Sequence, residues 1–158
     1  MKRIINILLL FLSAFTVNAQ TDTTECNHSD MLGVEVAAPH KFVGEVARGF
    51  LNVNYTKPQL VADDYYIMHY MSAGYSFYKR RANEYVLSYG IGIPLHYFQS
   101  GTLYGYLIDG YHYRGEYDDF RERRVKAEYR KKNYGFSIAY TLRHSLIFGY
   151  SFNYKKIK

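Results

Sequence analysis

Residues 133–154 read NYGFSIAYTLRHSLIFGYSFNY. Tyr134, Phe136, Ile138, Tyr140 and Leu142 alternate with Gly135, Ser137, Ala139 and Thr141. After Arg143 and His144 the beat resumes, with Leu146, Phe148, Tyr150, Phe152 and Tyr154 set against Ser145, Ile147, Gly149, Ser151 and Asn153. A side-chain period of two belongs to β-strands, whose successive residues point to opposite faces. In both strands one face is bulky and largely aromatic and the other mostly small. The fold turns on which medium receives the bulky face.

Upstream, the same pattern recurs. Tyr85, Leu87, Tyr89, Ile91, Ile93, Leu95 and Tyr97 share one strand face without a break, opposite Val86, Ser88, Gly90, Gly92, Pro94 and His96. Pro94 removes one ladder donor, so a bulge or weakened pairing is expected there. Shorter alternations mark Leu32–Val36 and Leu51–Thr56, the second stopping before Pro58. Tyr65–Tyr78 carries aromatics on both faces, and Thr102–Arg114 is a tyrosine-rich strand. Gly115–Arg121, with Asp118 and Asp119, reads as a longer loop. Arg124–Arg130 has residues that favour helix, but its alternation and its neighbours favour strand. The count is eight strands.

A soluble barrel or sandwich turns its apolar face inward and needs a hydrophilic outer face. Here the second face is mostly Gly, Ser, Ala and Thr. In an inside-out barrel the small residues fit the narrow interior of eight strands, and the rings face lipid. Tyr85, Tyr97, Tyr134 and Tyr154, at strand ends, are the expected aromatic girdle. Arg124, Lys126, Glu128 and Arg130 are expected to face the lumen and pair there or with acids across the barrel. The composition agrees: 19 Tyr and 10 Phe, 18% aromatic, with no Trp. Tyrosine suits both strands and a membrane–water boundary. The expected architecture is an antiparallel up-and-down transmembrane β-barrel of about eight strands, each about ten residues long, as a tilted crossing requires.

Residues 1–19 read as a secretory signal peptide: Lys2 and Arg3, an apolar run from Ile7 to Phe15, and Val17-Asn18-Ala19 before the cleavage point. Residues 20–30 form a polar lead-in, and residues 31–158 the barrel domain. Lys2 and Arg3 leave with the signal, so a formal net charge of +6 falls to about +4. The remaining basic clusters, Lys79–Arg81 and Lys155–Lys158, lack the extended face that nucleic acid requires, and no nucleic-acid partner is expected. Cys26 is the single cysteine, so no internal disulfide forms.

With its signal peptide, about 140 mature residues and eight alternating strands, the chain resembles the small outer-membrane β-barrels of diderm bacteria. The resemblance covers Met31–Tyr154 and is one of pattern. Such barrels end on an aromatic that the assembly machinery reads, whereas here Lys155, Lys156, Ile157 and Lys158 follow Tyr154. It implies export to the outer membrane, with the lipid bilayer and other envelope proteins as partners.

Some barrels of this kind hydrolyse lipid A acyl chains with a His and a Ser two apart on one strand face. His144 and Ser145 are adjacent and would point to opposite faces of a strand, which makes them weak catalytic candidates. His112, Glu116, Asp118 and Asp119 read as a solvated acidic loop rather than a cation site, and His96 as a hydrogen-bonded lumen residue. Gly90-Ile91-Gly92 precedes no helix and is no phosphate loop. No metal and no cofactor is expected. The favoured reading is a non-enzymatic outer-membrane barrel with an envelope-structural, surface-interaction or adhesion role. A barrel enzyme modifying outer-leaflet lipid, and a soluble periplasmic β-barrel binding a small apolar ligand, are the alternatives.

Overall fold

The computed structural model describes residues 29–37, 40–42, 45–62, 65–78, 83–113, 120–141 and 146–154. The strands are β1 (Met31–Ala37), β2 (His40–Phe42), β3 (Glu45–Ala62), β4 (Tyr65–Tyr78), β5 (Glu84–Phe98), β6 (Gly101–Tyr113), β7 (Phe120–Arg130), β8 (Tyr134–Thr141) and β9 (Leu146–Phe152). All pairings are antiparallel and follow chain order, and β1 pairs with both β9 and β3, which closes the sheet. β2 continues the arm of β1 along the start of β3. The protein is therefore a closed, eight-strand, antiparallel up-and-down barrel.

Register fixes its geometry. Directly paired residues lead from Tyr113 through Tyr85, Tyr75, Leu51, Val36, Phe148, Ile138 and Ala127, and return to β6 at Gly105, eight residues from the start. Eight strands with a stagger of eight tilt by about 36° and enclose a bore only wide enough for side chains. One end of the barrel carries the connections β2–β3, β4–β5, β6–β7 and β8–β9. The other, the turn end, carries β3–β4, the Gln99–Ser100 turn and the bend at Lys131–Asn133. Backbone hydrogen bonds Lys131 N to Tyr134 O (2.8 Å) and Asn153 N to Asn133 O (2.9 Å) tie the last turn to the segment after β9.

The alternation sorts the side chains. Along β5, Glu84, Val86, Ser88, Gly90 and Gly92 are buried, while Tyr85, Leu87, Tyr89, Ile91 and Ile93 are exposed. The same holds for Phe136 and Ile138 on β8 and for Leu146, Phe148 and Tyr150 on β9. The outer wall is thus apolar, with Leu87 63% and Leu107 60% exposed, whereas most residues buried in the bore are polar or charged.

Four expectations need correction. First, β3 does not stop at Pro58 but runs on to Ala62, paired there with β4. Its pairing with β1 ends at Thr56, so beyond that point β3 is an edge strand, where a missing N–H is tolerated. Second, the bulky face of β5 is broken. Register shifts between Pro94 and His96, and pairing with β4 ends at Gly92. The irregularity expected at Pro94 is present, and past it Tyr97 pairs with Thr102 and takes the phase opposite to that of Tyr85. Third, β7 begins at Phe120, inside the stretch read as a loop. Fourth, strand length is uneven: 15 residues in β5 but 8 in β8 and 7 in β9.

Candidate functional site

Four charged residues of β7, Arg124, Lys126, Glu128 and Arg130, fall on one strand face because they are two apart, and that face is the inner one. Each is at most 2% exposed. β7 alone cannot neutralise them, since three are cations. The fifth member is Glu35 of β1, three strands away around the wall and 1% exposed.

The charges alternate in sign. Arg124 lies 3.8 Å from Glu35, Glu35 accepts from Lys126 at 2.9 Å, Lys126 is 3.4 Å from Glu128, and Glu128 is 3.0 Å from Arg130. Neutral donors complete the carboxylates. Asn52 Nδ2 and the Tyr70 hydroxyl each donate to Glu35 at 2.8 Å, and Ser151 donates to Glu128 at 2.7 Å. Arg130 also donates to the Tyr106 hydroxyl at 2.8 Å, and Arg124 to Ser88. Rings cover the cations: Lys126 sits 4.7 Å from the Tyr70 centroid, and Arg130 5.1 Å from that of Tyr104. A buried ion pair is tolerated only when such hydrogen bonds satisfy it.

Tyr70, Tyr104 and Tyr106 point inward and are fully buried, so the bore is not lined by small residues alone. The small residues have a specific task. A Cβ on Gly92 would strike the ring of Tyr106, and one on Gly149 would fall 2.9 Å from the Glu35 side chain. Glycines on β5 and β9 thus make the space that the long side chains of β1 and β6 occupy. Gly92→Val is expected to cost about 1–3 kcal/mol through overpacking against Tyr106. A denaturant titration of the folded barrel reads this; a variant as stable as the parent would show that the ring has room to move.

Nearer the other end, His112 of β6 lies between two carboxylates, with Nδ1 2.9 Å from Glu84 and Nε2 3.0 Å from Glu122. Its ring stacks on Phe120 at 4.3 Å between centroids. This set joins β5, β6 and β7. Among the described residues no group of three or more His, Cys, Asp or Glu side chains is arranged to hold a metal ion.

Of the expected girdle, Tyr85 lies at the end of the barrel bearing the β4–β5 connection and is 61% exposed. Tyr97, Tyr134 and Tyr154 lie at the turn end and are exposed to lesser degrees. His96 sits past the bulge, half-buried, with its ring 4.3 Å from that of Phe98. His144 and Ser145, Glu116, Asp118 and Asp119, residues 1–28 and residues 155–158 lie outside the described residues. Glu35, Asn52, Tyr70, Tyr106 and Ser151 were not singled out in the sequence. Glu35 was recoverable, since it occupies the face of β1 opposite Leu32, Val34 and Val36, the same phase as the β7 charges.

The fold and the site define a class: a small closed barrel with an apolar outer wall and a bore plugged by a hydrogen-bonded charged layer. No family profile, no curated protein and no solved structure matches the chain.

Proposed function

We propose that this chain is a non-enzymatic outer-membrane β-barrel of a diderm bacterium, exported by its N-terminal signal and serving envelope structure, surface interaction or adhesion. One observation carries the reading: the wall exposes rows of Leu, Ile, Val, Phe and Tyr, while Arg124, Lys126, Glu128, Arg130 and Glu35 are enclosed. That is the polarity of a barrel solvated by hydrocarbon, and a closed barrel is the one β-architecture that leaves no backbone edge unpaired in lipid. The plugged bore favours a structural role over a diffusion pore, because Tyr70, Tyr104, Tyr106 and the charged layer occupy the cross-section that solutes would need.

The test is heat-modifiable migration. Unboiled protein in detergent is expected to run at a different apparent mass from boiled protein, and the expressed chain to partition with detergent-extracted membranes. Identical migration with and without boiling would overturn the reading, as would recovery in the osmotic-shock supernatant.

A further inference from the structure

Two rows of outward side chains run around the wall, each linked strand to strand by direct pairing. One row is Ala73, Leu87, Tyr111 and Arg121, on β4, β5, β6 and β7. The other, two residues nearer the turn end on each strand, is Met71, Tyr89, Asp109 and Arg123. Between them, Ser72 and Ser88 turn their side chains inward and Gly110 has none, which leaves only backbone as a floor. The result is an open furrow on the outer wall that continues past β4 over Val53 and Tyr55 of β3 and Leu32 of β1, with a volume of about 770 Å³ along its whole length.

The groove is apolar over β4 and β5 and ends on charge at β7. Asp109 and Arg123, 63% and 70% exposed by side chain, satisfy each other at 3.2 Å. Arg121 is exposed, and no carboxylate among the described residues lies within ion-pair distance of it. It is the second residue of β7, beside the β6–β7 connection, next to Tyr111 and near Tyr113 and Tyr85 at the same end. The occupant this arrangement fits is an amphiphile with an apolar tail and an anionic head.

We propose that this groove binds a membrane phospholipid of net negative headgroup charge, its acyl chain lying between the two rows and its phosphate on Arg121, with no headgroup cation to compete for that phosphate. The guanidinium fork matches phosphate oxygens, and charge-assisted hydrogen bonds of this kind are strong. Ala73 is the smallest side chain in its row, and the acyl chain passes over it. The proposal rests on the membrane reading, since a lipid reaches this wall only from a bilayer.

The experiment is native mass spectrometry of the folded chain released from micelles. These contain phosphatidylglycerol or phosphatidylcholine with identical acyl chains, and heat-modifiability is scored on the same preparations. The parent is expected to retain phosphatidylglycerol about ten-fold over phosphatidylcholine. Arg121→Gln is expected to abolish that preference while retaining lipid, and Ala73→Phe, which fills the groove, to reduce retention of both lipids. Equal retention of the two lipids by a heat-modifiable parent, or an undiminished preference in Arg121→Gln, overturns the groove proposal and leaves the membrane reading standing. A parent that shows no heat-modifiability overturns both.

Discussion

Replacing Glu128 with leucine is expected to destabilise the folded barrel by about 3–5 kcal/mol, the range for removing one partner of a buried ion pair. Glu128 neutralises Arg130 at 3.0 Å and Lys126 at 3.4 Å, and it accepts from Ser151. Its loss leaves Arg130, fully buried, with a tyrosine hydroxyl and two rings but no anion. The urea midpoint of the folded barrel measures the loss. A second variant separates charge from packing: Glu128→Leu combined with Arg130→Met removes both partners. Its cost is expected to fall short of the sum of the two single costs by about 1–3 kcal/mol, since groups in one network couple. Additive costs, or a single-variant loss below about 1 kcal/mol, would mean that water and not Glu128 satisfies these cations.

The second large effect lies on the opposite face of the same wall. Leu107 stands midway along β6, paired with Ile91 and Val125, and is 60% exposed. Leu107→Arg is expected to cost about 2–4 kcal/mol when folding is measured into lipid vesicles, the depth-dependent penalty for arginine on a lipid-facing strand. Tyr113→Arg, at the end of the same strand, is expected to cost only about 0–1 kcal/mol. On a barrel immersed in water, exposed positions of this kind change stability by no more than about 0.5 kcal/mol at either depth. The difference between the two positions is therefore the measurement. Equal and negligible costs would place this wall in water.

The sequence made the barrel legible where strands were long and cleanly two-faced. β5, β8 and β9 each alternate bulky with small, and such a strand can be oriented without knowing its neighbours. Local pattern is silent wherever a neighbouring strand decides. Pro58 looks like a stop, and would be one inside a central strand; it is tolerated because β1 has already ended. Tyr97 looks like the continuation of the Tyr85 face, but the register shift at Pro94 reverses its phase. Tyr70, Tyr104 and Tyr106 come from strands whose two faces both carry rings, and no local pattern distinguishes a ring destined for the bore from one on the wall. The site was half legible. Two-residue spacing puts the β7 charges on one face, but Glu35, which neutralises Lys126, is 91 residues away along the chain.

That separation constrains how the barrel can be made. The inner face of β7 keeps an excess of positive charge, which Glu128 alone does not offset, until β1 joins β9 and brings Glu35 to Lys126 and Arg124. An intermediate sheet that placed β7 in hydrocarbon without β1 would strand Lys126 and Arg124 in a medium that penalises bare charge. On the membrane reading proposed above, insertion and circularisation would then advance together, with Leu32 of β1 and Phe152 of β9 pairing as the charged layer is completed.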